Sequence, residues 1–217
     1  MNFDNKPIAS REVLEAHLQA LVTLDPGLGS ILSQVGEVPL RLGRPGFAGL
    51  ASIVSSQLLS VASARAIHLR VEALVGEMRG ENFLKVERDA LRAVGMSYSK
   101  IDCLRGVAEA EISGEIDFAQ LHQLSAPEVM KKMTSLKGIG PWSAEIYLIS
   151  SIAHPDIFPA GDLVLQKMVG KVLKRDDKPD EKLTRALTEK WSPYRGAAAR
   201  LLWRYFAVLR DREGINL

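Results

Sequence analysis

Asp162 is the residue of this 217-residue chain whose setting most suits chemistry. It stands in FPAGDLVLQK, after Pro159 and Gly161 and before LVLQKMVGKVL, a run with helical periodicity. As the N-cap of that helix it contributes about 1 kcal/mol. The same carboxylate, placed where the helix dipole favours negative charge, can stabilise a developing cation or orient an attacking water. The two roles are compatible, and capping alone accounts for the position.

Trp203 is the second unusual residue. In GAAARLLWRYFAVLR the apolar stripe is Leu201, Leu202, Tyr205, Phe206 and Leu209. Trp203 falls roughly 130° from the centre of that stripe on a helical wheel. Ala199 and Ala207, one turn to either side, leave space over its ring. It is either the wall of a pocket or the cover of a second packed helix. Trp142 follows a glycine turn at a helix start and can face a cleft; Trp191, in KWSPYR, reads as the anchor of a helix end.

The glycine turn lies in LKGIGPWSAEIYLISS, residues 136–151. Gly138 and Gly140 permit backbone conformations that a Cβ would forbid, and Pro141 suits the first turn of the next helix. The expectation is a helix, a glycine hairpin and a second helix. Such a corner presents main-chain N–H groups at the positive end of a helix, with Lys137 adding a cation beside them. It would hold a phosphate of a nucleic-acid backbone without reading sequence. The plain reading is an αα-hairpin with a glycine turn, and the two-glycine motif does not separate the two.

These residues need helices to position them, and the pattern is helical almost throughout. REVLEAHLQALVTL has a 3.6-residue apolar stripe that DPG at 25–27 stops. FAGLASIVSSQLLS places Phe47, Leu50, Ala51, Val54 and Leu58 on one face. A further helix follows a bend near Ser60 and Val61. A short helix, a break at Gly95 and a longer helix capped by Ser97 come next, and then a capping box of Ser125 and Glu128 with Pro127 early in its helix. HPDIFPAG, residues 154–161, reads as an exposed or half-buried loop. No alternating β-branched run is long enough for a sheet. The fold class expected is all-α, with about ten helices.

Composition is that of an ordinary globular protein, 47% hydrophobic and 25% charged. The single cysteine, Cys103, excludes an internal disulfide and a cysteine-held iron–sulfur cluster. The four histidines have no metal-ligand spacing. MNFDNKPIAS is polar and no apolar stretch reaches the length of a bilayer span, so a cytoplasmic location and no membrane partner are expected. The net charge is only +2. Residues 1–162 hold 15 Lys and Arg against 19 Asp and Glu, whereas residues 163–217 hold 13 against 7. That basic last quarter suits a polyanion, although scattered cations that solvate helix faces would give the same counts.

Taken together, LKGIGPWSAEIYL and the GD twenty residues after the tryptophan resemble the helix–hairpin–helix DNA glycosylases. SIVSSQLLSVASARAI resembles the segment that fills the gap left by a flipped base. LRAVGMSYSKIDCLRGVA resembles the family's short-helix junction, and WSPYRGAAARLLWR the C-terminal signature of the 3-methyladenine glycosylase II branch. The match runs from about Phe47 to Arg204.

The resemblance implies an all-α fold of two lobes with the active cleft between them. Residues 45–155 would form a central lobe ending in the helix–hairpin–helix, and 1–44 would pack with 156–217 as the second. It puts Asp162 on the catalytic aspartate, Trp142 and Trp203 on aromatic base-pocket positions, and Gln57 and Leu58 on the wedge that enters the duplex. Without the family, Leu58 is simply core. Lys137, Gly138, Ile139 and Gly140 fall on the phosphate-gripping turn. The main-chain carbonyls of Thr134, Leu136 and Ile139 fall where members often hold a structural Na⁺ or K⁺; no other cofactor is implied.

Two departures matter. Bifunctional relatives carry a lysine where this chain has Trp142, so no Schiff base can form there and strand cleavage is not expected. Larger members of the branch begin with a small β-rich domain, and this chain starts almost at once with a helix. The activity implied is monofunctional hydrolysis of the N-glycosidic bond of alkylated purines, of the 3-methyladenine and 7-methylguanine type. It would act on double-stranded DNA in base excision repair, as a monomer, nucleoid-associated if bacterial. A glycosylase for other damaged bases and a non-catalytic helix–hairpin–helix DNA-binding protein are the competing readings.

Overall fold

The structure is a computed structural model that describes residues 6–213. Among them there are α-helices and short 3-10 turns but no strand. The helices in chain order are α1 (Arg11–Leu24), α2 (Gly29–Val35), α3 (Gly46–Ser56), α4 (Val61–Val75), α5 (Gly80–Lys85), α6 (Arg88–Ala93) and α7 (Tyr98–Ser113). They continue with α8 (Phe118–Leu121), α9 (Ala126–Thr134), α10 (Pro141–Ser150), α11 (Leu163–Val172), α12 (Glu181–Thr188) and α13 (Arg195–Glu213). The all-α expectation holds, with more helices than sequence periodicity resolves. The additions, α5 and α8 among them, are too short to show a 3.6-residue stripe. No helix of the described residues is long and apolar enough to cross a membrane.

The chain divides into two compact units, Gly43–Ile152 and Met1–Leu42 with Ala153–Leu217. In the second of these, α13 packs on α11, α1 and α2. Its stripe supplies Leu201 and Leu202, both fully buried, with Phe206 and Leu209 nearly so. Each such side chain contributes about 1.5–3 kcal/mol of hydrophobic stabilisation. Helix α1 starts at Ser10, whose hydroxyl accepts the Val13 N–H, and buries Leu14, Leu18 and Leu21. It stops at Asp25, where one carboxylate oxygen accepts the Gly27 N–H and the other accepts the indole N–H of Trp191 at 2.8 Å. Trp191 is fully buried, so it anchors a helix end as its sequence suggests.

The loop at 154–161 is half-buried, the second of the two expected states: Pro155, Phe158, Pro159 and Ala160 are buried and the residues between them are partly exposed. A buried loop needs internal partners for its polar groups. Asp156 supplies many of them, accepting from the Arg195 guanidinium at 2.7 and 2.8 Å and from the Ser192 hydroxyl at 2.8 Å.

In the unit Gly43–Ile152, α3 packs against α4, α7 and α10, and α5 lies along α7. The caps expected at Ser97 and Ser125 are present: Ser97 accepts the Lys100 N–H, and Glu128 reaches back to the Ser125 N–H at 2.9 Å. The bend after α3 is also where the sequence puts it, with Ser60 capping α4.

Candidate active site

Asp162 caps α11, as its position after Gly161 implies. Its Oδ1 accepts the Leu165 N–H at 3.0 Å. The same oxygen lies 3.4 Å from the indole Nε1 of Trp203, a long hydrogen bond. Trp203 is half-buried, while Leu201, Leu202, Phe206 and Leu209 of the stripe on the opposite side of α13 are in the core; Tyr205, assigned to that stripe, is half-buried like Trp203. The ring therefore stands beside the carboxylate that the sequence alone could not connect to it. Leu163, the next residue, is 63% exposed.

Three contacts fix the approach to Asp162. The Asp162 N–H donates to the Pro159 carbonyl at 2.9 Å. Gln166, buried on α11, donates its amide to the Ala160 carbonyl at 2.9 Å and accepts from Lys178 at 3.0 Å. The loop is fastened to the first turn of α13 as well, through Asp156 and through the Gly196 N–H, which donates to the Pro155 carbonyl at 2.7 Å. A Cβ on Gly196 would come within 2.5 Å of that carbonyl, so only glycine permits the approach. Burial opposes a charge on Asp156, but the hydrogen bonds and charge of Arg195 and the Ser192 hydroxyl outweigh it and hold the carboxyl below its ordinary range.

The hairpin forms between α9 and α10. Leu136 and Ile139 are buried, whereas Lys137, Gly138 and Gly140 are exposed. The glycines are not equivalent. Gly138 has φ +88°, and a Cβ there would lie 2.8 Å from the Cys103 Sγ on α7. Gly140 is the N-cap of α10 with φ −91° and open space around it, so its own backbone does not require glycine. The expectation that both adopt forbidden conformations is corrected in that respect. Pro141 occupies the first turn of α10, and Trp142 beside it is half-buried. The Ile139 N–H turns inward to the Leu136 carbonyl at 3.1 Å. Thr134 is the last residue of α9 and is exposed.

The plain reading of Leu58 as core is wrong. Helix α3 ends at Ser56, one turn earlier than the apolar pattern suggests, and Leu58 is fully exposed at 102%. Its φ is +57°, a left-handed conformation that costs a residue with a Cβ about 1–2 kcal/mol. An exposed, strained leucine gains nothing from packing. Gln57 before it donates its side-chain amide to the Ser143 hydroxyl on α10 at 2.8 Å. From α7, the Lys100 ammonium donates to the Ser55 and Gln57 carbonyls at 2.9 and 2.7 Å. Burial draws Lys100 below the ordinary lysine range.

With this geometry in view, the comparisons with known proteins decide the family. Residues 50–193 match the model of the HhH-GPD superfamily of base excision DNA repair proteins. The chain belongs to that superfamily. Among its HhH-GPD relatives, DNA-3-methyladenine glycosylase 1 of Schizosaccharomyces pombe is 33% identical over 159 residues, covering 71% of this chain and 70% of that protein. The solved structure of the S. pombe 3-methyladenine DNA glycosylase in complex with abasic DNA superposes with a TM-score of 0.81 at 30% identity, over 87% of this chain and 95% of that one. A DNA-3-methyladenine glycosidase from Bacillus halodurans gives a TM-score of 0.76 at 33% identity, over 91% of each chain. Of the HhH-GPD residues named from sequence, Trp203 alone lies beyond the matched span.

Sequence reasoning missed the supports: Lys100, Ser143, Gln166, and the Asp156–Arg195 pair. Lys100, Ser143 and Gln166 stand in the first turns of helices and Asp156 in a loop, and nothing local marks the partners of Lys100, Ser143 and Asp156, which lie tens of residues away. A lysine in the first turn of α7, where the dipole disfavours a cation, was the one available hint.

Proposed function

We propose that the chain is a monofunctional DNA glycosylase that hydrolyses the N-glycosidic bond of alkylated purines in double-stranded DNA. The observation that carries this reading is the juxtaposition of Asp162 and Trp203 within a fold whose named relatives are 3-methyladenine glycosylases. A non-catalytic DNA-binding protein needs neither the carboxylate nor the ring beside it.

Alkylation at purine N3 or N7 makes the base cationic, and such a base leaves without a general acid. The bonding pair of the glycosidic bond goes to the departing base and neutralises it. Positive charge then develops on the sugar, where the Asp162 carboxylate stabilises it. Water adds to C1′ and loses a proton, which completes the hydrolysis. The Leu165 N–H and the Trp203 indole hold the carboxylate in one orientation during these steps. The Trp203 ring offers the cationic base about 0.5–2 kcal/mol of cation–π attraction. Trp142 takes a second pocket role by its match to the family motif. The indole there supplies no amine for a Schiff base, so base release occurs without strand cleavage.

Leu58 and Gln57 fill the stack that a flipped base vacates, and an exposed leucine in a left-handed turn suits that use. Lys137, Gly138 and Gly140 grip the backbone beside the lesion, while Ile139, assigned to the same turn, is buried beneath them with its N–H on the Leu136 carbonyl. A monovalent cation at the hairpin would be held by the Thr134, Leu136 and Ile139 carbonyls. The Leu136 carbonyl, which already accepts from Ile139, keeps a second lone pair for it.

The test is base release from methylated duplex DNA by wild type and Asp162→Asn, with products separated by chromatography. The reading requires 3-methyladenine or 7-methylguanine from the wild type and at least a 100-fold slower release by the variant, about the loss of one electrostatic stabiliser. Equal release by both reduces Asp162 to a cap. Tight duplex binding without release by either assigns the chain to another lesion or to binding alone.

A further inference from the structure

The turn that carries Leu58 has an unusual construction. Helix C-termini commonly close with glycine in the left-handed position, and the following N–H groups satisfy the last carbonyls. Here the left-handed residue is a leucine, and the backbone bonds that close the turn are long: Gln57 N–H to the Val54 carbonyl and Leu59 N–H to the Ser56 carbonyl, both 3.3 Å. The short contacts come from another helix. The Lys100 ammonium reaches the Ser55 and Gln57 carbonyls, on either side of the last helical residue, at 2.9 and 2.7 Å. One turn along α7, Cys103 lies beneath Gly138 of the hairpin. Ser143, three residues after Gly140, holds the Gln57 side chain. The leucine turn and the hairpin are thus registered against each other through a single turn of α7 and the start of α10.

We propose that Lys100 is a positioning residue for base release: it holds the Leu58 turn in its strained, presented form by clamping the Ser55 and Gln57 carbonyls, and it touches neither DNA nor the reacting sugar. The inference rests on the reading of Leu58 as a duplex wedge. A lysine serving only as internal glue could be replaced by an uncharged residue with a loss of stability alone. A clamp on the wedge turn has a different signature, because its removal leaves binding to the DNA backbone intact and spoils the step at which the leucine enters the stack.

The experiment uses the full chain with Lys100→Met, Leu58→Ala and the double variant. Two quantities are measured for each: kcat/KM for 7-methylguanine release from methylated duplex, and the fluorescence change of 2-aminopurine placed beside a tetrahydrofuran abasic-site analogue. Lys100→Met is expected to lower kcat/KM on the order of 10- to 100-fold, the scale of misplacing a positioning element. It should abolish the fluorescence change and alter duplex affinity by less than about threefold. The double variant should be no worse than the weaker single variant, since both changes disable one step. Losses that multiply, or an unaltered fluorescence change in Lys100→Met, overturn the clamp. A wild-type response from Leu58→Ala overturns the wedge itself and is distinguishable from either. If Lys100→Met fails to fold, Lys100→Gln, which keeps an N–H donor without the charge, takes its place and must show a partial loss of the same kind.

Discussion

The indole N–H of Trp203 points to the Asp162 oxygen that already caps α11, so one carboxylate oxygen joins the start of α11 to the middle of α13. The contact is long, and its worth is separable from that of the ring. Trp203→Phe, which removes the N–H and keeps an aromatic face, should cost less than about 1 kcal/mol in unfolding free energy. Trp203→Ala removes the face too, and kcat/KM for a cationic base should fall by a further factor corresponding to about 0.5–2 kcal/mol. Chemical denaturation and steady-state release of 3-methyladenine check the two halves. A Phe variant as inactive as the Ala variant would assign the role to the N–H.

Leu58 offers a test in which stability and activity part company. A buried leucine replaced by a small residue loses about 2–5 kcal/mol. Leu58→Gly should instead leave unfolding free energy unchanged or raise it by up to about 1 kcal/mol, because glycine accepts φ +57° without strain. Urea midpoints measured alongside duplex activity provide the comparison. Destabilisation by 2 kcal/mol or more would contradict the exposed placement.

The two hairpin glycines should respond differently to alanine. Gly138→Ala is expected to cost about 2 kcal/mol, combining left-handed strain with crowding against Cys103. Cys103→Ala in that background should recover part of the loss. Gly140→Ala should cost less than about 1 kcal/mol and act mainly on DNA affinity. A double-mutant cycle in thermal unfolding gives the coupling between residues 103 and 138, and additivity would refute the contact.

Acid should loosen the loop that leads to Asp162. The Asp156 carboxyl is held below its ordinary value of 3.8 in the folded protein. Its contribution is therefore present in full above that value and is lost as pH falls through the lower, folded one. Asp156→Asn should lower stability at neutral pH by about 2 kcal/mol and flatten the decline below pH 4. Denaturant unfolding of both proteins from pH 7 to pH 2.5 would show the curves converging. Parallel curves would mean that the Arg195 pair contributes nothing to acid stability.

Much of this was legible in the amino-acid order. Asp162 shows itself by the Gly before it and the apolar period after it. Trp203 shows itself by being out of phase with Leu201, Leu202 and Leu209. The hairpin is announced by its glycines and Pro141. Periodicity alone puts Leu58 in the core because its spacing from Val54 continues the α3 stripe, and periodicity cannot register that the helix has already stopped. Lys100, Asp156 and Gln166 were invisible for another reason. Each acts on a main-chain carbonyl or an ion partner fixed by tertiary packing, and such partners leave no local pattern.

Cys103, the chain's only cysteine, packs half-buried under Gly138, and burial raises its pKa above the ordinary thiol value. Thiolate is the form that attacks electrophiles. At neutral pH this side chain is thus a sluggish nucleophile toward methylating agents, the reagents that produce the DNA lesions proposed as substrates. The thiol and the hairpin glycine share one space, so an adduct on Cys103 would crowd the turn from below just as a Cβ on Gly138 would.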